Sequence, residues 1–73
     1  MKNKLFITTP FIKLDSALKL AGAAMTGGEA KLMVQQGRVF VAGEPCSMRG
    51  RKLYPGDTFS LPETDSEWTV ETA

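Results

Sequence analysis

The stretch from Thr26 to Gly43 constrains the fold more than any other, because a helix start, a helix stop and a strand follow one another in it without a break. Thr26 and Glu29 have the Thr-x-x-Glu spacing of a capping box, in which the hydroxyl accepts from the Glu29 N–H and the carboxylate reaches back to the cap. Ala30, Met33 and Val34 then fall at i, i+3 and i+4 on one helical face, with Lys31 and Gln35 together on another. Leu32 and Met33, at helical spacing with other apolar residues, are expected in the core. Gly37 follows the last periodic residue and suits the left-handed conformation that ends a helix. Beyond it Arg38-Val39-Phe40-Val41-Ala42 alternates, with Val39 and Val41 to one side and Arg38, Phe40 and Ala42 to the other. Helix, glycine, strand is the reading.

Gly27 and Gly28 run against helix propensity, since a glycine in a helix interior costs on the order of 1 kcal/mol relative to alanine. Two readings account for them. They permit a tight entry from the preceding segment or a close approach to a neighbouring element, or they leave the unpaired N–H groups of the first turn open to an anion such as a phosphate. Spacing alone does not choose.

Seventy-three residues suffice for one small domain, which buries about 60% of the surface of its unfolded chain and leaves little room for a deep enzyme cleft. One cysteine and no histidine exclude an intrachain disulfide and offer no zinc-ligand spacing. A reducing cytoplasm fits this composition. No apolar run reaches the length of a signal-peptide core or a membrane span, so neither export nor insertion is expected. Net charge is +1, but the charges are segregated. Residues 1–52 hold all nine Lys/Arg against Asp15, Glu29 and Glu44, a net of +6; residues 53–73 hold five acids and no cation, a net of −5. Such asymmetry describes either a basic face for a polyanion or two surfaces that neutralise each other within the fold.

Along the rest of the chain, residues 4–8 read as a short strand ending at Thr9-Pro10, with Phe11 and Ile12 as core anchors. Leu14, Ala17, Leu18 and Ala21 form the stripe of an amphipathic helix with Asp15 in its first turn, and Gly22 ends it. Ala23-Ala24-Met25 connects this helix to the next, giving a helix-turn-helix-like pair. Phe40 is expected either under the terminal strands or exposed for stacking on a base. Ala42-Gly43 reads as a tight turn. Ser47-Met48-Arg49-Gly50-Arg51-Lys52 is the most basic loop in the chain. Tyr54-Pro55-Gly56-Asp57 has the residues of a type II turn, Thr58–Leu61 alternates with Phe59 and Leu61 inward, and residues 67–70 add a last strand facing Trp68 and Val70 to the core.

These residues line up with a known family. Lys13-Leu14-Asp15, Gly22, the Gly-Gly-Glu-Ala-Lys helix start, Gln36-Gly37-Arg38-Val39-x-Val41-x-Gly43 and Gly56-Asp57 resemble the RNA-binding domain named after the fourth small-subunit ribosomal protein, the alpha-L motif. The chain is most similar to the small stand-alone bacterial YaaA-like and YbcJ-like proteins, in which Thr-Gly-Gly-x-Ala-Lys replaces the Ser-Arg-x-x-Ala-Arg of ribosomal and synthetase relatives. The resemblance covers about residues 12–61. It implies an α+β fold, the helix pair packed on a small bent antiparallel β-sheet, with RNA against the second helix and adjoining loops. Carried over residue by residue, the contact surface is Lys13, Thr26, Gly27, Gly28, Lys31, Arg38, Arg49, Arg51 and Lys52. This overlap with the basic loop favours the phosphate reading of the glycine pair. Relatives commonly have Asn where this chain has Ala42, and Cys46 is new in the loop.

The function expected is therefore a non-catalytic RNA-binding module for structured RNA, ribosomal or transfer RNA, with ribosomal particles among the partners expected. Duplex RNA is recognised by shape and backbone contacts, which suits a small basic surface without an array of aromatics. A protein-interaction adaptor using the acidic C-terminal segment is the alternative. An enzyme is not supported, because no acid–base or nucleophile–base pair is evident and Cys46 reads as an inert thiol. No metal or cofactor is implied, no membrane partner is expected, and a monomer is the simplest oligomeric state.

Overall fold

The computed structural model describes residues 2–73. In chain order they form β1 (Lys2–Ile7), β2 (Ile12–Lys13), α1 (Leu14–Leu20), α2 (Gly27–Gln35), β3 (Phe40–Val41), β4 (Glu44–Pro45), β5 (Lys52–Leu53), β6 (Thr58–Leu61), a 3-10 turn over Pro62–Thr64, and β7 (Ser66–Thr72). The α+β class is as the sequence implied.

Both helices end the same way. At α2 the N–H of Gly37 donates to the Val34 carbonyl and that of Arg38 to the Met33 carbonyl, with Gly37 at φ +72°. At α1 Gly22 donates to Lys19 and Ala23 to Leu18, with Gly22 at φ +80°. These are paired 5→2 and 6→1 bonds, the Schellman arrangement that satisfies the last carbonyls of a helix. The helices pack on each other and bury Leu14, Ala17 and Leu18 of α1 against Ala30, Met33 and Val34 of α2 within one hydrophobic cluster. Leu32 departs from its expected place. It is 55% exposed, because the buried stripe of α2 follows Ala30, Met33 and Val34, and position 32 lies off that stripe.

The main sheet has the order β1-β7-β6-β3-β4. Contrary to an all-antiparallel sheet, β1 lies parallel to β7, in a register that sets Leu5 beside Val70. Alternation specifies which face a strand buries and not its direction, so the sequence pattern fits either pairing. Both terminal strands are also longer than expected, Lys2–Ile7 and Ser66–Thr72. Leu5, Ile7, Phe59, Leu61, Trp68 and Val70 point into the core, where Phe59 stacks on its cross-strand partner Trp68 at 5.1 Å between centroids. Full burial of a ring such as Phe59 stabilises the fold by about 1.5–3 kcal/mol. Phe40 is half-buried on a strand whose sheet neighbours are β4 and β6, so the terminal strands do not pair over it. Val39 is buried although the strand begins only at Phe40.

Ala42 and Gly43 both take positive φ, +53° and +82°, and close a two-residue β3–β4 hairpin of the type I′ kind. Tyr54–Asp57 is a turn closed by the Asp57 N–H on the Tyr54 carbonyl at 2.9 Å, with Gly56 at φ +98°, as type II requires. β2 and β5 stand apart from the main sheet as a two-stranded antiparallel ribbon.

Candidate nucleic-acid interface

The basic loop is held by its backbone. Lys13, at the N-cap of α1, makes no side-chain cap; instead the first helical N–H groups donate outward, Leu14 to the Arg51 carbonyl at 2.9 Å and Asp15 to the Arg49 carbonyl at 3.0 Å. The unpaired donors at a helix start need acceptors, and here a distant loop supplies them. With its carbonyls turned to α1, the loop leaves the Arg49 and Arg51 side chains exposed. The adjoining ribbon puts Lys13 directly opposite Lys52. Four cations thus lie on one joined structure, and none has an ion pair among the described residues. Like charges opposite each other in a ladder cost about 0.2–1 kcal/mol, so the arrangement is one that a bound anion would relieve.

The second group is built at the start of α2. Thr26 is the N-cap, its hydroxyl accepting from the Glu29 N–H at 3.1 Å. The Glu29 carboxylate reaches one residue beyond the cap, accepting from the Met25 N–H at 3.2 Å. Neither glycine has positive φ, no atom of a neighbouring element lies within 4 Å of a Cβ built on either, and Gly28 meets only the Thr26 hydroxyl at 3.9 Å. Close approach to another element is therefore not the reason for the glycine pair. Their N–H groups have no acceptor among the described residues. Lys31 follows on the same helix, half-buried.

These two groups sit at opposite ends of α1, since the loop caps its N-terminus and the Ala23–Met25 connector folds onto Leu18 at its C-terminus. Seven residues of α1, roughly 10 Å of helix, lie between the two along the chain. Arg38 belongs to neither. Its guanidinium is ion-paired with Glu63, with Nε donating to Oε1 at 2.7 Å, and it also donates to Gln36. Cys46 is buried, its sulfur 3.7 Å from the Met48 carbonyl.

A family model described as the S4 domain matches residues 5–70. The chain belongs to the S4 domain family. It is 43% identical over 61 residues to a protein of Bacillus subtilis (strain 168) named "Probable ribosome maturation protein RlbA", an alignment covering 84% of this chain and 86% of that protein. The family match extends beyond residues 12–61, where the motifs lie, and reaches into β1 and β7, which the motifs do not mark.

Two residues escaped the sequence reading. Phe11, expected as a core anchor, is only half-buried and packs on Tyr54, ring centroids 5.7 Å apart, with the Lys52 ammonium 4.9 Å from its own centroid. The signal was the alternation Phe11-Ile12-Lys13 against Lys52-Leu53-Tyr54. It shows only once the two segments, far apart in sequence, are known to pair.

Proposed function

We propose that this protein is a non-catalytic module that binds structured RNA, of the ribosomal or transfer class, and that it serves ribosomal particles in the cytoplasm. The observation that carries this reading is the group Lys13, Arg49, Arg51 and Lys52, four cations with no ion pair among the described residues, on a loop and ribbon anchored through the backbone in a chain of the S4 domain family. The relative named for ribosome maturation supports the class of partner. Cations position the phosphate backbone without reading sequence. Thr26, Gly27 and Gly28 offer a second phosphate position through N–H groups at a helix start, with Lys31 beside it. Two anchor points at either end of α1 suit a single stretch of backbone laid along that helix. Arg38 joins this surface only by exchanging Glu63 for a phosphate.

The acidic C-terminal segment is the weaker candidate for a working surface, because the fold already uses it. Glu63 holds Arg38, and the β1–β7 register sets Glu67 beside Lys2. The test is ultraviolet crosslinking of the tagged protein to RNA in growing cells, beside the Arg49→Glu/Arg51→Glu/Lys52→Glu variant. Discrete RNA captured by the wild type and lost in the variant is the expected result. Background capture by both would overturn the reading and favour a protein partner.

A further inference from the structure

The outer face of the β2–β5 ribbon carries an aromatic pair that phosphate binding does not use. Leu53 is fully buried and Ile12 packs on the core, so alternation along both strands directs Phe11, Lys13, Lys52 and Tyr54 to the opposite face. The rings of Phe11 and Tyr54 meet at 46°. Tyr54 is 49% exposed, and its hydroxyl has no partner among the described residues.

The backbone that carries both rings is held by local hydrogen bonds. The Tyr54 N–H donates to the Asp57 carboxylate at 2.8 Å and its carbonyl accepts from the Asp57 N–H, while the Thr9 hydroxyl donates to the Phe11 carbonyl at 2.8 Å. A backbone already ordered at the site has less entropy to lose on binding. The Lys52 ammonium lies over Phe11, which leaves the Tyr54 ring as the open one. Lys13 and Lys52 lie beside it.

We propose that Tyr54, backed by Phe11, is a stacking site for an unpaired nucleobase, with Lys13 and Lys52 taking the flanking phosphates. The assignment deepens the RNA-binding reading and rests on it. A cation beside an exposed ring matches a nucleotide, whose base stacks while its phosphate is neutralised. A duplex hides the faces of its bases, so the favoured ligand is a helix interrupted by a bulge or loop. The ribbon then distinguishes such RNA from a continuous duplex.

The test compares two labelled probes by fluorescence anisotropy at low salt, a blunt RNA duplex and the same duplex with a bulged adenosine. The wild type is expected to bind the bulged probe about tenfold more tightly, within the range that base–aromatic stacking gives. Tyr54→Leu keeps an apolar side chain without a ring and should bring the bulged probe down to the level of the blunt one. Tyr54→Phe should retain the preference. Equal affinity of the wild type for both probes, or a preference surviving in Tyr54→Leu, would overturn the stacking site while leaving the RNA reading intact. Failure to bind either probe would overturn both.

Discussion

The two helices end alike and begin differently. At both C-termini a glycine with positive φ closes the same pair of backbone bonds. At the N-termini, α2 is capped by its own Thr26 and Glu29, while α1 is capped by carbonyls of Arg49 and Arg51, more than thirty residues away in the chain. The difference has a functional side. Local capping leaves the Gly27 and Gly28 N–H groups open at α2, whereas capping at a distance engages the first two donors of α1 and, in doing so, anchors the basic loop. One helix start offers donors and the other positions cations.

The largest expected effect falls on the cap residues themselves. Thr26→Ala should cost about 1 kcal/mol of stability, whereas Lys13→Ala should cost a few tenths at most, because Lys13 makes no side-chain cap and faces a like charge in Lys52. Urea unfolding of both variants checks this, and equal losses would break the comparison. Ala42 tests the same contrast in a turn. Pairing of β3 with β4 holds an alanine at φ +53°, and since asparagine tolerates that region better, Ala42→Asn should raise stability by roughly 0.5–1 kcal/mol in the same assay.

Gly28→Ala sharpens the functional half. With negative φ and no crowding, alanine should stabilise the helix by up to about 1 kcal/mol, while the added methyl group weakens RNA binding severalfold in an anisotropy titration. Higher stability with unchanged affinity would remove the α2 start from the RNA surface. Smallest is the effect of Glu63→Gln. The Arg38–Glu63 pair has side chains 42% and 46% exposed, so its loss should cost a few tenths of a kcal/mol. The released Arg38 should raise RNA affinity about twofold at low salt and leave no difference at high salt, where exposed charges are screened.

Much of the local structure was legible in the sequence. Thr26-x-x-Glu29, Gly37 and Pro55-Gly56 each act through their own neighbours, within four residues, so residue type and spacing suffice to place them. Phe59, Leu61, Trp68 and Val70 were legible for a related reason, since period-two alternation against one core leaves a single buried face. Leu32 shows the limit. Its spacing fits a helix, but whether it is buried depends on how wide a face α1 covers. Phe11 looks like a core residue and Tyr54 like a turn residue until the ribbon's register is known.

The sequence alone therefore determined the two helices, their glycine stops, the turns, the buried strand faces and the supply of cations. Only the tertiary structure decided which cations stand together, because that depends on pairings between distant segments: Lys13 against Lys52, the loop carbonyls against the α1 N-terminus, Glu63 against Arg38 and β1 parallel to β7. The physical reason is the nature of the groups involved. Backbone N–H and C=O groups are the same in every residue, so where they find distant partners leaves no mark on residue type. The anchoring of the basic loop is made of those groups.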